Sequence, residues 1–150
     1  MRILIQRVSE ASVSINGEIK SQIKSGLLVL LGIEHNDGQE DLVWLVEKLV
    51  KLRVFDDEKG VMNLSVMDVS AQILVISQFT LHASTRKGAR PSYIRAARPS
   101  QAIPLYEEFI NKIEEKAGVK PASGEFGADM KVGLINDGPV TIWIDSRNKE

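Results

Sequence analysis

The sequence predicts an α+β fold: a curved or barrel-like, mostly antiparallel β-sheet with two packed helices, in a single domain over residues 1–150. Three observations predict it. Strand-like segments outnumber helical ones and do not alternate strictly with them, which argues against a doubly wound sheet. Two continuous apolar runs, Leu27 to Ile33 and Ile73 to Ile76, read as strands buried on both faces. Two further segments repeat apolar residues at helical spacing.

Arg2 to Ile15 alternates in polarity and reads as a long strand. Asn16-Gly17 is a strong hairpin signal, with Glu18 to Ile23 returning. Gly26 opens the first apolar run, a central strand. After the turn His35-Asn36-Asp37-Gly38, a helix is expected over Gln39 to Leu52. Leu42, Leu45, Val46, Leu49 and Leu52 share one face, and acidic residues precede basic ones along it, as the helix dipole favours. Val54-Phe55 is a short strand, and Met62 to Val69 is irregular or briefly extended.

A second helix begins at Pro99-Ser100, carries Ile103, Tyr106, Phe109, Ile110 and Ile113 on one face, and closes at Ala117-Gly118. Pro104 is placed in its first turn, where a missing N–H costs little. Val119 to Gly127 reads as a loop, and two strands, Met130 to Asn136 and Val140 to Asp145, flank Asp137-Gly138-Pro139.

Composition bounds the chemistry. Apolar residues make up 43% and charged residues 26%, the ordinary balance of a globular protein. Cysteine is absent, which excludes disulfides, thiolate metal sites and cysteine nucleophiles. The two histidines, His35 and His82, are too few for a histidine-rich metal site. No apolar run approaches the ~20 residues of a bilayer span, and the alternating, charged N-terminal stretch is unlike a signal peptide. The expected compartment is the cytoplasm, with no membrane partner and no cofactor. The net charge of −1 indicates no nucleic-acid partner by itself. Its distribution says more: from Val69 to Tyr106 there is no acidic residue, while Arg86, Lys87, Arg90, Arg95 and Arg98 all fall there. This stretch is either an anion or phosphate footprint or a solvated loop.

The candidate site is the stretch Gln72 to Tyr93, where a buried strand ends in Ser77, Gln78 and Thr80 and runs into the basic segment. Such an end holds polar groups rigidly at a pocket mouth. Thr80 and His82, two apart on a continued strand, would share a face about 6–7 Å apart. That is long for a nucleophile and its base, and the alternative is that these hydroxyls satisfy backbone groups. Asp137 and Asp145 flank the last strand, but carboxylates at a turn and a terminus are usually just solvated. No phosphate-binding loop, dinucleotide fingerprint or zinc spacing is present.

Taken together, these residues resemble the D-aminoacyl-tRNA deacylase (D-tyrosyl-tRNA deacylase) family through nearly the whole chain. The resemblance runs through Gln6-Arg7-Val8, Gly26 to Gly32, Met62 to Ser65, Ser77-Gln78-Phe79-Thr80-Leu81, Lys87-Gly88, Arg90-Pro91-Ser92, Phe126 to Met130 and Asn136 to Thr141. The segments SQFTL and NDGPVT, in this order and separation, carry most of its specificity. One position departs: the family pattern has a tyrosine after SQFTL, and His82 stands there, which leaves a local acid–base role for His82 open.

The resemblance implies a homodimer that hydrolyses the ester between a D-amino acid, or glycine, and the terminal adenosine of tRNA. Ser77, Gln78, Phe79 and Thr80 would form the floor for that adenosine and its aminoacyl group. Gly138-Pro139, held cis, would enter from the partner subunit and reject L esters by clash. Catalysis would draw on the substrate's own 2′-hydroxyl and on backbone donors around Gln78 to Thr80, with Thr80 as covalent nucleophile the less favoured route. Arg7, Phe126 and Met130 would support or line the pocket. Lys87, Arg90 and Arg95 would meet acceptor-stem phosphates. The alternatives are a non-catalytic module that binds the tRNA end and a metal-independent hydrolase of small esters.

Overall fold

A computed structural model describes residues 1–149. Its axis is the long strand β1 (Arg2–Ile15). Asn16 and Gly17 both take left-handed backbone angles (φ 52° and 83°) and turn the chain into β2 (Glu18–Ile23), as an Asn-Gly hairpin requires. The other strands are β3 (Gly26–Gly32), β4 (Arg53–Asp56), β5 (Met62–Ser65), β6 (Gln72–Ser77), β7 (Ala122–Ser123) and β8 (Met130–Asp145). Two helices complete the fold, α1 (Gln39–Lys51) and α2 (Pro99–Ala117).

The main sheet runs β2-β1-β3-β6-β7, with β8 along the other edge of β1. The first half of β1 pairs with β3 (Ile3 opposite Leu31) and its second half with β2 (Val13 opposite Ser21), while β8 follows almost its whole length. The β3–β6 and β6–β7 pairings are parallel, and the remaining ones antiparallel. The result is a nearly closed, barrel-like mixed sheet carrying two helices, in line with the expected class.

The two apolar runs are explained by what lies on either side of them. Leu27, Val29 and Leu31 of β3 and Ile73 and Val75 of β6 face the helices, where they meet Leu42, Leu45, Leu49, Phe109 and Ile113. The alternate residues Leu28, Leu74 and Ile76 join Val8, Val13 and Ile23 in a second, smaller core. Both faces are dry, so neither strand shows alternation. No helix among the described residues is long and apolar enough to cross a membrane.

Several local expectations change. Met62 to Ser65 takes the briefly extended form, a short strand paired with β4, whereas the expected loop 119–127 contains β7, which extends β6 by a short parallel pairing. Pro104 lies in the second turn of α2 rather than the first; it deprives the Ser100 carbonyl of its helical donor, and Ser100 is exposed to water. Gly118 (φ 73°) stops that helix, its N–H meeting the Glu114 carbonyl at 2.8 Å. The expected pair of strands around Gly138-Pro139 is one strand with a bulge. Both halves pair with β1, and residues 137–140 loop out between the pairs Gln6–Thr141 and Val8–Asn136.

Candidate active site

β3 and β6 run parallel and end side by side, and a cleft of about 320 Å³ opens there. Leu31 and Ile76 floor it, Ser77, Gln78 and Phe79 form one wall, and Phe126 and Met130 face them. The Gln78 N–H donates to the Leu31 carbonyl at 2.8 Å, extending the ladder one residue past the strand. The chain then tightens into a 3₁₀ turn, Phe79–His82. Phe79 and Thr80 open that turn, so their N–H groups have no partner within it. The Gln78 side-chain amide donates to the Thr80 hydroxyl, which fixes that oxygen. Phe79 is 56% exposed and meets the edge of Tyr93, ring centres 5.1 Å apart.

Three contacts hold the turn from behind. Arg2 donates from Nη1 to the Leu81 carbonyl (3.0 Å) and from Nε to Asp145 Oδ2 (2.8 Å), while its guanidinium lies over Trp143. Burial works to raise the Asp145 carboxyl, but the Arg147 N–H and Arg2 outweigh it and hold the pKa below the usual range. Gly32 is packed so closely that a Cβ there would stand 3.0 Å from both the Gln78 carbonyl oxygen and Leu81 Cβ. His82 is 1% exposed and sits beneath the turn. On the far wall, the Tyr106 hydroxyl donates to the Val75 carbonyl (2.9 Å) and its ring meets Phe126 edge-on; burial pushes its pKa up to about 12.

The Ser/Thr–His arrangement read from a continued strand does not form. The chain turns at Phe79, and His82 points into the core rather than lining the cleft. Neither imidazole nitrogen has a hydrogen bond of good geometry among the described residues. Burial lowers its pKa, although the Gly32 backbone and Glu34, 3.4 Å from Nδ1, favour the charged form. Asp137 and Asp145 are not merely solvated either. Asp137 Oδ2 lies 3.1 Å from Arg7 Nε, and Asp145 holds Arg2.

The profile of the D-Tyr-tRNA(Tyr) deacylase family matches residues 4–145. The chain belongs to this family. It is 60% identical over 150 residues to the D-aminoacyl-tRNA deacylase of Bacteroides thetaiotaomicron and 59% identical to that of Flavobacterium johnsoniae, each alignment covering all of both chains. Among solved structures it resembles one titled c-Myc DNA Unwinding Element Binding Protein, with TM-score 0.91, 41% identity and 97% and 98% of the two chains covered. A second, titled as a probable eukaryotic D-amino acid tRNA deacylase, shares the fold at TM-score 0.80 and 16% identity, covering 95% and 97%.

Within this deacylase-family chain, Ser77, Gln78, Phe79, Phe126 and Met130 come together at one cleft, with Thr80 on the turn at its edge. Gly138 and Pro139 do not join them. They form the exposed tip of the β8 bulge, joined by a cis peptide bond, opposite Arg7. From Ser77, that tip lies three strands across and four residues along, roughly 14 Å in each direction over a curved sheet. Arg7 is buried beneath it, donating from Nε to the Asp137 carbonyl (3.1 Å) and from Nη1 to the Val54 carbonyl (2.5 Å). Lys87 and Arg90 are exposed on the loop that turns at Gly88 (φ 133°). Arg95 is half-exposed and gives its Nη2 to the buried Glu34 carboxylate at 2.6 Å.

Arg2, Gly32 and Tyr106 were not singled out as site residues. Gly32 had a readable signal, a glycine closing an apolar strand where another backbone approaches. Arg2 and Tyr106 act through contacts more than thirty residues away in sequence, which no local pattern reveals.

Proposed function

We propose that the chain is a homodimeric hydrolase that cleaves the ester joining a D-amino acid, or glycine, to the terminal adenosine of tRNA. Family membership and the full-length identity to proteins named D-aminoacyl-tRNA deacylase support the reaction. One observation carries the chiral part: the Gly138-Pro139 tip is exposed, braced, and remote from the cleft of its own chain. A second copy is what would deliver such a tip to the cleft. Its two carbonyl oxygens would then face the substrate Cα, capture the α-amino group and leave no room for an L side chain. Glycine has no side chain to clash and is accepted.

The cleft supplies main-chain chemistry. Phe126 and Met130 line the place for the adenine, and Ser77 with Gln78 the place for the ribose and aminoacyl group. Water adds to the ester carbonyl carbon with the substrate 2′-hydroxyl assisting. The negative oxygen that forms is met by the N–H groups of Phe79 and Thr80, which have no partner within their turn, and the 3′-oxygen leaves with a proton. Thr80, fixed by Gln78, orients the ester. Lys87, Arg90 and the exposed side of Arg95 contact acceptor-end phosphates, which position the tRNA without reading its sequence. The reaction so drawn calls on no cofactor, and cytoplasmic tRNA is the substrate pool.

The test is loss of radiolabelled amino acid from D- and L-tyrosyl-tRNA, alongside a D ester on 2′-deoxyadenosine-ended tRNA. Release of the D residue alone is expected, with the 2′-deoxy substrate cleaved far more slowly. A chain that binds tRNA but leaves both esters intact is a binding module, and equal cleavage of both hands removes the gate. A trapped acyl-Thr80 would replace the 2′-hydroxyl route with a covalent one.

A further inference from the structure

The β8 bulge is pinned at both feet, and one side chain does most of the pinning. Asn136, the last residue before the loop, donates both protons of its side-chain amide: one to the Arg7 carbonyl across the sheet (2.9 Å), the other to the Val140 carbonyl where the loop returns (3.1 Å). A bulge removes rungs from a ladder and leaves carbonyls without donors. Asn136 replaces two of those donors from a single planar group and ties three chain segments to one point. Its Oδ1 lies immediately behind the tip, 3.3 Å from where a Cβ on Gly138 would stand. Val140 is buried at the returning foot. Gly138 and Pro139 therefore project from a base whose width is set by Asn136.

We propose that Asn136 is a positioning residue for stereochemical discrimination: by fixing the base of the bulge it sets how far the Gly138-Pro139 tip reaches toward substrate. The inference rests on the reading of that tip as the gate. Rejection by clash depends steeply on distance, because repulsion rises over a few tenths of an ångström. A tip that recedes slightly admits an L side chain. A D ester, whose side chain points away from the tip, loses only some orientation. Loss of Asn136 thus shows first in L-ester cleavage.

The variants are Asn136→Asp, which keeps the shape but turns a donor pair into an acceptor facing two carbonyls, and the milder Asn136→Ser, which retains one short donor. Each is assayed with D- and L-tyrosyl-tRNA, with circular dichroism and dimer mass as folding controls. The expected result is a D-to-L ratio of kcat/KM lowered by about three- to tenfold, the net size of one partly buried hydrogen bond. The ratio should fall through a rise in the L value, with Asn136→Ser intermediate. Equal losses on both substrates, or an unchanged ratio in the better-folded variant, overturn the proposal. Pro139→Ala run alongside separates the two readings. If it changes the ratio and Asn136→Asp does not, only the positioning role fails; if Pro139→Ala leaves the ratio alone, the gate itself fails.

Discussion

Replacing Gly32 with alanine perturbs the cleft without changing any side chain that lines its polar wall. Gly32 ends β3, and the 3₁₀ turn is folded directly onto it. An added Cβ would meet the Gln78 carbonyl oxygen at 3.0 Å, Leu81 Cβ at 3.0 Å and His82 Cδ2 at 3.1 Å. Contacts of 3.0–3.1 Å are tighter than an ordinary packed Cβ makes, so the turn must give by a few tenths of an ångström at both ends. None of the three is the free end of a flexible side chain. Overpacking of this kind costs about 1–3 kcal/mol, roughly 2–12 °C in Tm for a chain of this size. The N–H groups of Phe79 and Thr80 lie between the displaced points and move with them. A misplacement of about 1 Å costs on the order of a hundredfold in rate, so a shift of a few tenths should lower kcat/KM on D-tyrosyl-tRNA by about two- to fivefold.

Thermal unfolding and deacylation kinetics read the two effects separately, and Gly26→Ala is the control. Its Cβ would overlap the Gln72 carbonyl oxygen at 2.0 Å, at the opposite end of the same strand. That variant should lose more stability, yet its folded fraction should keep near-normal kcat/KM. If Gly32→Ala retains full kcat/KM while losing stability, the turn's seat on Gly32 does not position the reacting groups.

The His82 pKa is held below its usual 6.5 by burial, so the unfolded chain takes up a proton before the folded one does. Stability is fully present above pH 6.5 and falls as the pH drops below it, before Asp41 and Asp145, both held below 3.8, begin to protonate. Tm measured between pH 7 and about 5 should slope downward in the wild type and flatten in His82→Leu. Lys87→Gln with Arg90→Gln should raise KM with kcat little changed and flatten the dependence of log KM on log salt by about one to two units, as expected for two lost phosphate contacts. An unchanged salt slope would make this loop plain solvated surface. Tyr106→Phe removes a buried donor, but the Val75 carbonyl keeps the Gly124 N–H at 3.1 Å. Urea unfolding should therefore report a loss of only about 0.5–1.5 kcal/mol.

Much of the frame was legible because its signals are local. The apolar runs gave β3 and β6, the Asn-Gly pair gave the hairpin, and helical spacing gave α1 and α2, the last stopped by Gly118. The cleft wall was legible as well, since Ser77 and Gln78 lie where a buried strand turns polar. What escaped was set by distant partners. β7 is two residues long and exists only because β6 offers an open edge. The bulge in β8 is defined by its register on β1, more than 120 residues away in sequence, so locally it looked like a turn between two strands. His82 fits a strand face in the sequence, and only the fold of the turn onto Gly32 sends it into the core.

A site built from main-chain groups shifts the mutational burden onto the residues that hold the main chain in place. On the proposed reading, the carbonyls at the tip cannot be deleted by substitution and the N–H groups of the turn only by proline; other changes can only move them. Ser77 presents a hydroxyl at the wall, and Ser77→Ala takes away a polar contact without releasing backbone. Arg2 lies outside the cleft, yet Arg2→Ala frees the Leu81 carbonyl, unpairs a partly buried Asp145 and uncovers Trp143 at once. On this reasoning Arg2→Ala lowers kcat for the D ester by about tenfold or more, with KM nearly unchanged because no tRNA contact is lost. Ser77→Ala acts chiefly on KM and by less. Parallel steady-state kinetics of the two variants on D-tyrosyl-tRNA decide the matter. If the lining residue proves the more damaging in kcat, the chemistry belongs to side chains after all.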